Sequence, residues 1–136
     1  MAMAADLCVA AESTVFEVSE VPRGLVAGWD IGFLHQLPRH VAMELSLGIR
    51  MTGQRAYDLG LVNRLVPDEQ LLPAAIELAQ ELCGLPRDTL IANRSLVDAL
   101  VPKVPPAVTE RAWLLRQEVT QSPDAIEGFL KFASKH

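Results

Sequence analysis

Between Pro67 and Gly84 the chain carries Leu71, Leu72, Ala75, Ile76, Leu78, Ala79, Leu82 and Cys83 at three- and four-residue steps. That recurrence fits the turn of an α-helix and places all eight side chains in one wide apolar stripe. Pro67-Asp68 opens the segment and Gly84 closes it, so the spacing predicts a packed amphipathic helix over 71–83. A stripe of this width requires an apolar layer to lie against, and that requirement limits the fold more than any other feature of the chain.

The remaining segments read in the same way. Residues 2–5 are helical in composition, and residues 7–10 and 14–16 are extended, with a break at Ala11-Glu12-Ser13. From 18 to 32 there are four turn formers, Pro22, Gly24, Gly28 and Gly32, and neither regular period is sustained, which predicts a shaped loop. Loops of this kind are where functional groups concentrate. Helices follow at 41–47 and 55–59, the second ended by Gly60, and residues 61–66 are strand-like. Asp88 is placed to cap a helix over 89–101, a further helix runs over 107–120, and Ser122-Pro123 fits an N-cap with proline at the first helical position. The last helix carries Ile126, Phe129, Leu130 and Ala133. The expected class is α/β, mostly helical, without internal repeats.

Composition excludes several roles. A chain of 136 residues has room for one domain, and with half its residues hydrophobic but only 5% aromatic its interior is expected to be Ala, Leu and Val. A formal charge of -5 argues against nucleic acid or an anionic membrane surface as a partner, and an anionic ligand would need a local basic patch. Cys8 and Cys83 form no Cys-x-x-Cys pair and have no histidine at metal-ligand spacing, so two buried free thiols and no metal are expected. His35, His40 and His136 have no Ser, Cys or acidic partner at a recognisable spacing. No apolar run reaches the roughly 18 residues of a membrane span. Residues 1–11 are interrupted by Asp6 and lack the basic start of a signal peptide, and the expectation is a soluble cytoplasmic protein.

Three stretches carry a resemblance: Ala4-Ala5-Asp6-Leu7-Cys8-Val9-Ala10-Ala11-Glu12, then Phe16-Glu17-Val18-Ser19-Glu20-Val21-Pro22-Arg23-Gly24-Leu25-Val26, then Ala56-Tyr57-Asp58-Leu59-Gly60-Leu61-Val62-Asn63-Arg64-Leu65-Val66-Pro67. In residues, order and spacing they resemble the crotonase superfamily, the enoyl-CoA hydratase/isomerase family. The segment Ser122-Pro123-Asp124-Ala125-Ile126-Glu127-Gly128-Phe129-Leu130-Lys131-Phe132-Ala133-Ser134-Lys135 is similar to that family's final helix. The resemblance implies the C-terminal half of such an enzyme, with residues 1–66 ending the spiral of strand-strand-helix turns and residues 67–136 forming a helical oligomerisation region. It implies acyl-CoA substrates, coenzyme A entering as part of the substrate with no separate cofactor, and trimers or hexamers.

The resemblance also assigns residues. Taken alone, Glu20 is a solvated loop carboxylate and Gly28, eight residues on, a turn glycine. By motif position Glu20 resembles one of two family glutamates that hold the reacting water, and Gly28 resembles the glycine whose amide touches that water. Two nearby carboxylates can divide acid and base roles. Phe132 and Lys135 occupy the places of an aromatic near the CoA adenine and a lysine near its phosphate, which the family presents to a neighbouring subunit, while core packing and a solvated tail are the bland alternatives. The second glutamate and the oxyanion-hole amides belong to family segments upstream of this chain, so the chain alone is expected not to catalyse the family reaction. The competing reading is a non-catalytic truncated assembly module. Two departures stand out: Gly28-Trp29-Asp30-Ile31-Gly32 runs into Phe33-Leu34 two residues early with a bulky Trp29, and Leu47-Gly48-Ile49 replaces the family's Leu-Thr-Gly.

Overall fold

The computed structural model describes residues 5–26, 34, 36–101 and 103–134. Contacts group the chain into two compact units, Met1–Phe16 with Met51–Pro102, and Glu17–Arg50 with Lys103–His136.

In the first unit, β1 (Val9–Ala11) pairs in parallel with β4 (Arg64–Val66), and β2 (Val15–Phe16) pairs antiparallel with β3 (Met51–Thr52). The break expected at 11–13 is a tight turn, with the Ala11 amide donating to Thr14 Oγ1 at 3.1 Å and the Thr14 amide to the Ala11 carbonyl at 2.9 Å. Helix α2 (Gly53–Asp58) starts at Thr52, whose hydroxyl accepts from the Arg55 amide at 3.2 Å. The core is small: Ala10, Ala11, Met51, Val62 and Ala56, the last with no exposed surface.

The motif spanning residues 56–67 is explained by this packing. Ala56 fills the core, and the Gly60 and Leu61 amides close α2 by donating to the Tyr57 and Ala56 carbonyls at 2.9 and 2.8 Å. Asn63 holds the entrance of β4 against β1, its side-chain oxygen accepting from the Cys8 amide at 2.7 Å while its own amide donates to the Cys8 carbonyl at 2.8 Å. Arg64 reaches Glu81 at 2.7 Å and Glu77 at 3.3 Å on α3 (Leu71–Cys83), and the Glu81 hydrogen bond raises the guanidinium pKa further. These residues are structural.

Helix α3 has the predicted bounds, and it ends where the Gly84 amide donates to Gln80 at 3.1 Å. Its stripe is not packed as the periodicity suggested, because neither α3 nor α4 (Arg87–Leu100) buries a residue. Leu72 is 68% exposed and Leu100 82%. The spacing specifies a helix and an apolar face, but the described part of the chain supplies no layer thick enough to cover it. Asp88 falls inside the first turn of α4 rather than at its N-cap, which is Pro86, and it makes no capping bond. Both cysteines are free, but only Cys8 is half-buried, whereas Cys83 lies exposed on the uncovered helix. Burial pushes the Cys8 thiol pKa up.

The second unit contains a 3₁₀ turn at Val21–Arg23 and helices α1 (Arg39–Ser46), α5 (Pro106–Thr120) and α6 (Pro123–Ala133). Val18, Val41, Leu45, Ala112 and Ala125 are the buried hydrophobic residues among those described in it. Leu47-Gly48-Ile49 ends α1 in a Schellman motif: the Ile49 amide donates to Glu44 at 3.0 Å and the Gly48 amide to Leu45 at 2.9 Å, with Gly48 at φ +79°. The departure from Leu-Thr-Gly is therefore a helix stop. Helix α6 starts as predicted, with Ser122 Oγ accepting from the Ala125 amide at 3.2 Å and Pro123 in the first turn.

Leu45 is 2% exposed, so Leu45→Ala should destabilise the chain by about 2–5 kcal/mol in urea unfolding. Alkylation followed by mass spectrometry at mildly alkaline pH should label Cys83 well before Cys8, since the thiolate of Cys8 is both less accessible and less populated.

Candidate functional site

Glu20 opens the 3₁₀ turn. Its carbonyl accepts from the Arg23 amide at 2.9 Å and the Leu25 amide at 3.0 Å, and the Gly24 amide returns to Val21 at 2.9 Å. Pro22 presets one backbone angle in the turn and Gly24, at φ +74°, closes it in the left-handed region. The result is a carboxylate on a short, hydrogen-bonded backbone loop. Its side chain is half-buried and has no hydrogen bond or ion pair with any described residue. Three residues earlier, Glu17 is engaged by Arg50 at 2.7 Å.

The turn is gripped from two sides. A Cβ on Gly48, at the end of α1, would lie 2.5 Å from Pro22 Cγ. On the other side α6 makes backbone contact: a Cβ on Gly24 would stand 2.7 Å from Ala125 Cα, and one on Gly128 would overlap the Arg23 carbonyl. Arg23 then extends its guanidinium over the Phe132 ring, with Cζ 4.4 Å from the centroid. Phe132 remains 43% exposed, so the cation covers part of the ring and leaves part of it open to solvent.

Of the four residues singled out in the sequence, Glu20 and Phe132 lie in the same unit and are linked through Arg23. Gly28 and Lys135 lie outside the described residues, as do Trp29, His35 and His136. His40 is exposed. Among the described residues no group of His, Cys, Asp and Glu is placed to hold a metal. Sequence reasoning gave no role to Arg23, Gly48 or Gly128. The available signal was Gly128 itself, a glycine in the interior of a helix, which costs about 1 kcal/mol relative to alanine unless close packing requires it.

All 136 residues match the family model for enoyl-CoA hydratase/isomerase. The chain is 37% identical over 106 residues to "Probable enoyl-CoA hydratase EchA12" of Mycobacterium tuberculosis, covering 74% of this chain and 37% of that protein. It is 32% identical over 142 residues to carnitinyl-CoA dehydratase of Salmonella paratyphi A, covering 99% of this chain and 54% of the relative. The crystal structure of carnitinyl-CoA hydratase from Mycobacterium avium superimposes with a TM-score of 0.83 at 38% identity, over 99% of this chain and 54% of that one. The chain belongs to the enoyl-CoA hydratase/isomerase family and has part of the crotonase fold. It spans 37% to 54% of the length of these relatives.

Because the Ser122 cap fixes the start of the helix that touches the Glu20 turn, Ser122→Ala should lower stability by about 1 kcal/mol, measured by urea denaturation.

Proposed function

We propose that this chain is the C-terminal half of an enzyme acting on acyl-CoA thioesters, adding water to a 2-enoyl-CoA or running a related enolate reaction. Glu20 is its acid/base carboxylate. The observation that carries the reading is the family match along the whole chain, and it is supported by the position of Glu20 on a hydrogen-bonded turn, half-buried and with no side-chain bond to any described residue. Both named relatives are described by addition or removal of water on a CoA thioester, the reaction such a carboxylate serves. In hydration the water oxygen bonds to the β-carbon and a proton reaches the α-carbon. A carboxylate near the water accepts one proton, and a second acid delivers the other.

By motif position the Gly28 amide would orient the water. Coenzyme A arrives as part of the substrate and no separate cofactor is required. Phe132 and Lys135 would meet its adenine and phosphate, Lys135 acting as a point charge. The amides that stabilise the thioester oxyanion, and the second glutamate, come from the remainder of the enzyme. The chain alone is therefore inactive in this reading. The enzyme is cytoplasmic and assembles as a trimer or hexamer, and the exposed apolar faces of α3 and α4 support an assembled state. No helix among the described residues is long and apolar enough to cross a membrane.

Those same faces also favour a second reading, a non-catalytic assembly module. Glu20→Gln in the complete enzyme separates the two. It should reduce crotonyl-CoA hydration by about 100-fold or more, read from the loss of enoyl thioester absorbance, and unchanged turnover would leave the module.

A further inference from the structure

Where α6 meets the Glu20 turn, the two backbones approach too closely for a side chain to stand between them. Two glycines make the contact, one on each partner. Gly24 faces the backbone of Asp124 and Ala125, and Gly128, one helical turn further along α6, faces the carbonyl of Arg23. A methyl group at either position would collide with main-chain atoms rather than with a flexible side chain, so the obstruction cannot be relieved by a rotamer change. The turn offers little slack, because the carbonyl of Glu20 is already fixed by the amides of Arg23 and Leu25. Displacing Arg23 therefore moves Glu20.

We propose that Gly24 and Gly128 form a backbone lock through which the C-terminal helix α6 positions the Glu20 carboxylate, making both glycines positioning residues for the reaction. The inference rests on the acid/base assignment of Glu20. It adds a function to α6 beyond carrying Phe132: the helix sets the geometry of the reacting end of the site from within the same chain. The stack of Arg23 on Phe132 closes the same contact from the next turn, since Phe132 lies four residues after Gly128. A general acid or base is sensitive to small displacements, because proton transfer requires hydrogen-bond distance to the reacting water.

The test compares Gly128→Ala, Glu20→Gln and a control, Gly84→Ala, in the complete enzyme with crotonyl-CoA. Gly84 ends α3 at a negative φ, and a methyl group there would meet the Glu81 carbonyl at 3.3 Å and the Gln80 carbonyl at 3.8 Å, with no contact to another element. Gly128→Ala should lower kcat at least tenfold, leave KM within twofold, and move the acidic limb of the kcat–pH profile, while Gly84→Ala matches wild type. Loss of folded enzyme would lower the amplitude without moving that limb. In the complete enzyme, the amides of Arg23 and Leu25 should exchange with deuterium at least tenfold faster in Gly128→Ala. Should that variant fail to fold, Ala125→Gly loosens the same contact without adding an atom and should move the limb in the same way. Full turnover in a folded Gly128→Ala or Ala125→Gly enzyme, or a reduced amplitude with a fixed limb, overturns the lock. Full turnover in Glu20→Gln overturns the function reading together with it, whereas an inactive Glu20→Gln beside an unaffected Gly128→Ala overturns the lock alone.

Discussion

Two backbones can touch only where no Cβ stands between them, and the second unit depends on such a contact. The turn that carries Glu20 is too short to hold its own shape by side-chain packing. Its hydrogen bonds define a local path, and the end of α1 and helix α6 both press on that path, through Gly48 and Gly128. On α5 and α6 the buried residues are Ala112 and Ala125, so there is little bulk on those helices to absorb an added atom. Main-chain proximity thus does the work that large apolar side chains do in other cores.

The first unit solves a different problem. Two pairs of very short strands make two separate, weak sheets, and polar groups help to align them: the Asn63 side chain on the Cys8 amide, the Ser13 amide on Asp68, and Arg64 spanning to α3. The Ser13 hydrogen bonds hold the Asp68 carboxyl below its ordinary range. Both glutamates are largely exposed and Arg64 is half-buried, so the network aligns β4 with α3 more than it stabilises either. The stretch around Asn63-Arg64, which carries part of the family resemblance, aligns the strands with each other and with α3.

Most of the helices were legible because they declare themselves locally. The stripe from Leu71 to Cys83 and the Ser122-Pro123 start need only periodicity and capping chemistry, and both match the structure. Burial was not legible, since it depends on what lies across from a face: α3 has the pattern of a packed helix and is left open. Asp88 misled because an aspartate in the first turn, two positions past the cap, is indistinguishable by type from one at the cap. For the site, the family motif picked out Glu20 and Phe132, but the contact joining their segments runs through glycines, whose role is visible only once two distant backbones are seen together.

The side-chain bond between Asn63 and Cys8 joins positions 55 residues apart, while each helix stop is made within a few residues of the helix it ends. Closing a loop of that length carries an entropic cost that the local turns avoid, and contacts of high sequence separation slow folding. The helices and their glycine stops can therefore form early and independently. Pairing of β1 with β4 and the seating of α6 on the Glu20 turn both carry that closure cost, and one asparagine side chain bridges the first of them.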